Sequence, residues 1–393
     1  MDDIYKLSNK EKRELISILA KLVAVDSSKS EIRVAKICES FLKKWGIRFQ
    51  KFEKQGGRTN LVWSLGNPRL PEILVAAHSD IVPAGEGWRT DPFRLARTSR
   101  LRSRQENFLT GRGVVDNKSP LAGMLLATKI LKKIENKLKN KIVFAAVADE
   151  ERGNKFGMDF LLAKKIFRPV AAVIPDSCGN NREIEIAEKG VVHLRVRAFG
   201  KQGHGSIPEK SKNAIFILED FLRNVRKLKF KKREKLLTPA TISVGAFHAG
   251  EAANVIPGEA EALLDIRYPS NESKTKILQK LTTLAKAEVR KWKVRNFEFE
   301  ILTELPSSET FEKSPIVQST LRAVQKVTHR KPKIIGMPAF TFGGVLRSRG
   351  IPTVGFGPGD LEECHRSNEK IRESEVYEFT EILVELLRNL QLK

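Results

Sequence analysis

The stretch ILVAAHSD, residues 73–80, joins five consecutive apolar residues to a histidine and an aspartate. A run without polar alternation predicts a strand buried on both faces, as in parallel sheets. Similar runs occupy residues 142–147, 170–174 and 352–356. Helical patterns lie between these runs, and Ser119-Pro120 predicts the start of one such helix. The alternation predicts an α/β fold with a doubly wound, mainly parallel sheet.

The middle of the chain has a different pattern. Alternating apolar and polar residues predict strands with one solvated face, and a helical stretch lies among them. The predicted strands are residues 191–197, 260–266 and 296–301, and the helix is residues 275–291. We therefore expect a smaller α+β domain at residues 190–303, inserted into a larger domain formed by residues 1–189 and 304–393.

Length and cysteine content indicate a globular protein from a reducing compartment. A chain of 393 residues can bury a core without disulfide or structural metal support. Its three cysteines, Cys38, Cys178 and Cys364, are too few for a disulfide framework. The acidic start, Met1–Lys6, lacks the order of a secretory signal, and no apolar run is long enough to cross a bilayer. These features predict a cytoplasmic location and no membrane contact.

The net charge of +24 allows three interpretations. The densest basic segment, residues 227–235, could bind nucleic acid phosphates or could be a solvated helix end. Alternatively, the basic protein as a whole could attract small acidic substrates by long-range steering. No zinc-finger spacing or aromatic RNA-binding pattern accompanies it. The solvated helix end is the favoured interpretation, and nucleic acid is not expected as a partner.

Chemically active residues follow each predicted buried strand. His78-Ser79-Asp80 follows the first, Asp149-Glu150-Glu151 the second and Asp176 the third, while His365 comes after the fourth. Ligands bind beyond the carboxyl ends of strands in open α/β sheets. Crowded carboxylates repel each other unless a cation compensates their charge. Imidazole and carboxylate ligands predict zinc, with manganese or cobalt as substitutes.

Four motifs resemble those of the metallopeptidase family that contains acetylornithine deacetylase, succinyl-diaminopimelate desuccinylase, aminoacylase and glutamate carboxypeptidase. The resemblance covers nearly the whole chain, and the motifs occur along the chain in the same order as in the family. The motifs are His78–Pro83, Gly111–Lys118, Asp149–Glu151 and Cys364–Glu369.

The resemblance implies a site for two metal ions. Asp116 would bridge them, His78 and Asp176 would complete one site, and Glu151 and His365 the other. Asp80 lies two residues after His78, so in an extended chain both side chains point the same way, and Asp80 can hydrogen-bond the far imidazole nitrogen.

The resemblance also implies roles for residues around the metals. Glu150 is expected to act as the general base for a metal-activated water. His204 would stabilise the oxyanion from the partner subunit of a homodimer. Asn254 and Arg267 match substrate-contacting positions, and an exposed strand arginine is an equal alternative for Arg267. Phe342 departs from the family pattern, which often has an acid here, and this leaves the specificity open.

Three functions remain in competition. The favoured one is a deacylase that cleaves the amide bond of small N-acyl amino acids, of the acetylornithine or succinyl-diaminopimelate type. The second is a dipeptidase or carboxypeptidase that uses the same metals. The third, a non-catalytic basic binding protein, has no need for a general base such as Glu150. Cys178 and Cys364, close to proposed ligands, are expected to be small buried fillers, with an oxidation-sensitive site as the alternative.

Overall fold

The computed structural model describes residues 4–99, 106–176, 179–230 and 235–392. It divides into two compact units. The second consists of Ala187–Glu309 and Gly336–Phe340, and the first consists of Met1–Ile186, Thr310–Ile335 and Thr341–Lys393. The sequence boundaries at residues 190 and 303 fall inside the main segment of the second unit. The sequence pattern did not predict that a second, short segment, Gly336–Phe340, also belongs to the second unit.

The helices and strands follow one another along the chain in an order that places most helices in the first unit. The helices are α1 Asn9–Val23, α2 Ile32–Lys44, α3 Lys118–Lys132, α4 Met158–Ala163, α5 Ala214–Val225, α6 Lys274–Trp292, α7 Pro315–Thr328, α8 Phe342–Arg347 and α9 Glu373–Asn389. The strands are β1 Phe49–Glu53, β2 Thr59–Leu65, β3 Glu72–His78, β4 Ala96–Ser99, β5 Asn107–Thr110, β6 Lys141–Val147, β7 Pro169–Ile174, β8 Glu183–Glu188, β9 Gly190–Phe199, β10 Gly203–His204, β11 Thr241–Ala249, β12 Val255–Ile256, β13 Glu259–Tyr268, β14 Phe297–Leu305, β15 Ser308–Glu309, β16 Lys333–Met337, β17 Thr353–Gly355 and β18 Lys370–Arg372.

The main sheet has a parallel centre, as the apolar runs predict. Its strand order includes β1-β2-β6-β3-β7-β17-β8, in which β6, β3, β7 and β17 are parallel neighbours. The flanking pairs β1–β2, β2–β6 and β17–β8 are antiparallel. Strands β3 and β6 are buried from their second residue onward, which explains their lack of polar alternation. The α/β fold with a mainly parallel sheet is confirmed.

Helix α3 lies between β5 and β6 in the chain, and it packs closely against α9. A Cβ atom at Gly123 would lie only 2.7 Å from the Phe379 ring and 2.8 Å from Thr380 Oγ1. The helix begins at Lys118 and has Asn117 at its N-cap. The predicted start at Ser119 is therefore wrong, because the Ser119 hydroxyl donates to the main-chain oxygen of Val114 instead of capping the helix.

A small sheet in the first unit brings two distant loops together. Its order is β18-β5-β4, and Lys370 of β18 pairs with Thr110 of β5. The residues before β18 therefore lie beside the residues after β5. These are the Cys364–Glu369 and Gly111–Lys118 motifs, respectively.

The second unit is built on an antiparallel sheet in the order β11-β13-β9-β14. Helices α5 and α6 supply Phe221 and Leu281 to a core with Val196 and Leu264 of the strands. Alternate residues of β13 are buried, as expected for a sheet with one covered face. The predicted strands and helix of this region are confirmed. Among the described residues, no helix has the length and apolar character needed to cross a membrane.

The contact at Gly123 predicts a destabilising Gly123→Ala substitution. Alanine normally stabilises a helix relative to glycine, but here the added methyl group must displace Phe379 or Thr380. We expect a loss of about 1–3 kcal/mol in the free energy of unfolding, measured by urea denaturation. Gly56→Ala is the control, because its methyl group meets nothing within 4 Å. Equal stability of Gly123→Ala and wild type would contradict this packing.

Candidate metal centre

Most of the site residues predicted in the first unit follow the carboxyl ends of the parallel strands, whereas Asp116 lies in the loop between β5 and α3. His78 is the last residue of β3, Asp149 comes soon after β6, and Asp176 comes soon after β7. His365 follows β17 through a loop that contains a short 3-10 helix, Leu361–Glu363. The parallel strands therefore deliver these side chains to one edge of the sheet, where ligands bind in open α/β folds.

The first group of possible ligands consists of His78, Asp116 and Asp176. The Nε2 atom of His78 lies 2.6 Å from Asp116 Oδ1 and 3.6 Å from Asp176 Oδ1. On the other side of the ring, His78 Nδ1 lies 3.1 Å from the main-chain oxygen of Asp80. A carbonyl oxygen can only accept, so this contact assigns a proton to Nδ1 and directs Nε2 to the carboxylates.

The second group consists of Asp116, Glu151 and His365. The Nε2 atom of His365 lies 3.0 Å from Asp116 Oδ2 and 3.1 Å from Glu151 Oε1. Asp116 therefore belongs to both groups, with Oδ1 directed to His78 and Oδ2 directed to His365. This arrangement brings together the five residues that the sequence analysis selected as ligands.

The cluster carries more negative charge than its buried position favours. Burial raises the pKa of Asp176 and of Glu151, and the negative charge of Asp116 adds to the rise for both residues. Burial likewise raises the pKa of Glu150 well above its usual value, and Asp176 adds to this effect. A compensating positive charge is needed to keep these carboxylates ionised.

Without metal, the two imidazoles provide that charge by binding protons. Burial opposes protonation of His78, but Asp116 and Asp176 outweigh it, so the pKa of His78 is raised. Hydrogen bonds to Asp116 and Glu151 raise the pKa of His365 to about 11. Two imidazoles and three carboxylates in two groups with one shared member fit a pair of divalent cations, and this donor set suits zinc.

Asp80 orients both His78 and the acidic turn. Its carboxylate Oδ1 lies 3.5 Å from His78 Nδ1, so the main-chain oxygen is the closer contact. The two carboxylate oxygens accept hydrogen bonds from the main-chain N–H groups of Glu150, at 3.2 Å, and Glu151, at 3.1 Å. The imidazole contact predicted from sequence thus comes mainly from the backbone, while the side chain of Asp80 holds the two glutamates in place.

Supporting residues that the sequence analysis did not select surround the cluster. The Asn117 Nδ2 atom donates to Asp176 Oδ1 over 2.9 Å. Buried Glu31 pairs with Arg58 and accepts from the main-chain N–H of Asp149 at 3.3 Å. Asn117 is adjacent to Asp116, and this position could have suggested a role. Glu31 and Arg58 lie outside every motif, so only the folded chain reveals them.

Phe342 occupies the position where the family pattern often has an acid. It is fully buried in α8, and its ring meets the His78 ring edge to face at a centroid distance of 6.5 Å. The aromatic side chain therefore contributes apolar packing beside a proposed metal ligand. It does not bring a further charge to the cluster.

Three predicted site residues lie in the second unit. His204 and Asn254 are exposed neighbours, because β10 pairs with β12 and the Gly205 N–H donates to the main-chain oxygen of Asn254. The ring of His204 contacts the Ser206 hydroxyl at 2.7 Å. Arg267 lies in β13, where its Nε donates to Asp265 Oδ1 over 2.8 Å, so part of its guanidinium is already engaged. The roles of all three stay predictions.

Other predictions are only partly covered by the described residues. Cys178 and residues 231–234 of the basic segment lie outside them. Cys364 is partly exposed, in contrast to the expected buried filler. Lys229, in the described part of the segment, is exposed.

Curated relatives align with most of the chain. The succinyl-diaminopimelate desuccinylase of Nautilia profundicola is 25% identical over 352 residues, which cover 88% of this chain and 92% of the relative. The acetylornithine deacetylase of Photorhabdus laumondii is 27% identical over 389 residues, which cover 95% of each chain.

Solved structures share the fold at lower sequence identity. A tripeptidase from Staphylococcus aureus superposes with a TM-score of 0.81 at 18% identity, covering 96% of this chain and 98% of that one. A dinuclear metal-binding peptidase of family M20 from Bacillus subtilis has a TM-score of 0.75 at 16% identity, with 97% and 98% coverage. Residues 74–389 match the model of peptidase family M20/M25/M40. The chain belongs to this family of metallohydrolases.

Proposed function

We propose that this protein hydrolyses the amide bond of small N-acyl amino acids at a two-metal site. The observation that carries the proposal is the sharing of Asp116 between two groups of possible ligands, with Glu150 in the same acidic cluster. The two cations would be zinc, with cobalt or manganese as substitutes. One would be held by His78, Asp116 and Asp176, and the other by Asp116, Glu151 and His365. Such ions polarise a carbonyl group and make water more acidic.

Glu150 is the proposed general base. Its neighbour Glu151 points to His365, and the N–H groups of both glutamates are held by Asp80. Positive charge at the ligand groups would favour the ionised form of Glu150, which is the form that accepts a proton. Glu150 would take a proton from the attacking water and deliver it to the leaving amine.

The substrate class rests on the relatives and on charge. The Nautilia and Photorhabdus proteins are named for the removal of succinyl and acetyl groups. A net charge of +24 would attract the carboxylate of such a substrate over long distances, and Arg267 and Asn254 are the proposed contacts. Peptide hydrolysis is the second candidate, favoured by the fold shared with the S. aureus tripeptidase.

The second unit is proposed to act in a homodimer, with His204 completing the site of the partner. Its sheet ends in the edge strand β11, where Val244 is 47% and Phe247 is 40% exposed, and Phe216 of α5 is 53% exposed. An edge strand with exposed apolar side chains favours pairing with another chain. A second copy would cover this edge, and His204 would stabilise the oxyanion.

A substrate panel tests the proposed reaction. We expect N-acetyl and N-succinyl amino acids to have higher kcat/KM values than dipeptides and tripeptides. Glu150→Gln should lower kcat by about 10²–10⁴-fold for every accepted substrate, because the proton acceptor is lost. The assay follows amine release with added zinc, cobalt or manganese after chelation.

Glu298→Gln is the control for this panel, since Glu298 is exposed and lies in β14. Unchanged hydrolysis by Glu150→Gln would refute the assigned base. Higher kcat/KM values for unblocked peptides than for N-acyl amino acids would contradict the deacylase proposal and favour peptide hydrolysis.

Measurements of metal uptake test whether Asp116 is a ligand of both cations. Asp116→Asn should weaken binding at both sites, whereas His365→Ala should weaken one, because only Asp116 belongs to both groups. Uptake should fall as the pH is lowered, since the raised pKa values of His78 and His365 mean that protons compete with metal. Calorimetric titration gives the stoichiometry. Asp159→Asn, at a partly exposed position outside both ligand groups, is the control. Equal effects of Asp116→Asn and His365→Ala would contradict a shared ligand.

Mixed dimers test whether His204 acts across the subunit boundary. His204→Ala and Glu150→Gln should each be nearly inactive alone. After unfolding and refolding together, half of the dimers are mixed and each has one complete site, so activity should recover to about a quarter of wild type. No recovery, while chromatography shows that mixed dimers form, would place His204 and Glu150 of one site in the same chain.

A further inference from the structure

Glu369 is a buried carboxylate surrounded by hydrogen-bond donors from the loop that carries Asp116. It is 1% exposed. Its Oε2 atom accepts from Arg112 Nη1 at 2.9 Å and from the Gly113 N–H at 2.8 Å. Its Oε1 atom accepts from the N–H groups of Val115, at 2.7 Å, and Asp116, at 3.2 Å. Each carboxylate oxygen therefore accepts two hydrogen bonds.

Burial raises the pKa of Glu369 to about 7, and the four donors around the side chain oppose this rise because they favour an ionised carboxylate. A protonated acid or an amide would direct at least one hydrogen at an N–H group, because each carries a donor of its own. Glutamine at position 369 has nearly the same size as glutamate. It could nevertheless not reproduce the four bonds, and it would leave the buried charge of Arg112 without its partner.

The loop that Glu369 holds has little freedom to adopt another shape. Gly113 has a φ of 83°, and a Cβ atom there would lie 2.8 Å from Ile81 Cγ2. Arg112 is 2% exposed, and its Nη2 atom donates to the main-chain oxygen of Ala84 at 3.0 Å. The loop is therefore tied both to Glu369 and to the segment that follows β3.

Glu369 also lies close in the chain to His365, a proposed ligand of the second metal. The intervening turn is fixed by Asn368, whose Nδ2 donates to the Gly87 oxygen at 2.9 Å and whose Oδ1 accepts from the Arg89 N–H at 2.8 Å. The Gly111 N–H donates to the main-chain oxygen of Glu369 at 3.1 Å. The turn from His365 to Glu369 is thus joined directly to the loop of Asp116.

We propose that Glu369 is a positioning residue that sets the place of Asp116 relative to His365, and thereby the geometry of both cation sites. This inference rests on the two-metal site of the proposed function. Glu369 belongs to neither ligand group, and both of its oxygens are occupied by donors of the loop. Its effect on metal binding is therefore transmitted through the Asp116 backbone.

The experiment compares metal binding by wild type, Glu369→Gln, Glu369→Asp and the control Glu362→Gln, a change of the same type at an exposed position. Chelator competition gives the Kd for zinc at each site, and the visible spectrum of the cobalt-loaded protein reports ligand geometry. Circular dichroism of the metal-free proteins monitors folding. We expect Glu369→Gln to weaken binding at both sites by about 10–100-fold and to alter the cobalt spectrum.

Glu369→Asp should have an intermediate effect, because it keeps the charge but is one methylene shorter. If Glu369→Gln does not fold, the Kd values and cobalt spectrum of Glu369→Asp test the proposal instead. Wild-type Kd values and cobalt spectra in the folded variants would overturn the proposal, even if the metal-free proteins melt at lower temperature, because that result indicates a structural role alone. Failure of wild type to bind two cations would instead refute the proposed two-metal site.

Discussion

The sharing of Asp116 between two histidines is the interaction on which the site depends. Its two carboxylate oxygens lie 2.6 Å from His78 and 3.0 Å from His365, so one side chain defines two adjacent positions for positive charge. The surrounding carboxylates are costly to ionise in a partly buried cluster without that charge. The same electrostatic demand accounts for the raised pKa values of the imidazoles in the metal-free protein.

The fold brings the ligands together by combining rigid strands with loops that are held by hydrogen bonds. Strands β3, β6 and β7 bring His78, the acidic turn and Asp176 to one edge of the sheet. The remaining ligands, Asp116 and His365, come from loops. Loops need hydrogen bonds to reach the precision of strands, and Glu369, Arg112 and Asn368 provide them.

Polar groups around the cluster orient the proposed metal ligands. Asp80 directs its main-chain oxygen to His78 and its carboxylate to the turn of Glu150 and Glu151. Asn117 holds Asp176, and Phe342 packs against His78 without adding charge. His78, Glu151 and Asp176 are therefore each held by a further contact. Such support narrows the range of positions that the ligand atoms can occupy.

The sequence by itself determined the parallel centre of the sheet, the α+β character of the middle segment and the five clustered residues. Long apolar strands and their polar ends follow from local residue order, and the motifs carried the resemblance that identified Asp116. The tertiary structure alone decided how Asp80 divides its contacts, that Ser119 does not start α3, and that Glu31, Arg58 and Glu369 support the site. The contacts of Glu31, Arg58 and Glu369 are hydrogen bonds between residues far apart in the chain, which no local pattern records. The contacts of Asp80 and Ser119 include short-range ones, but they depend on the path that the folded loops take.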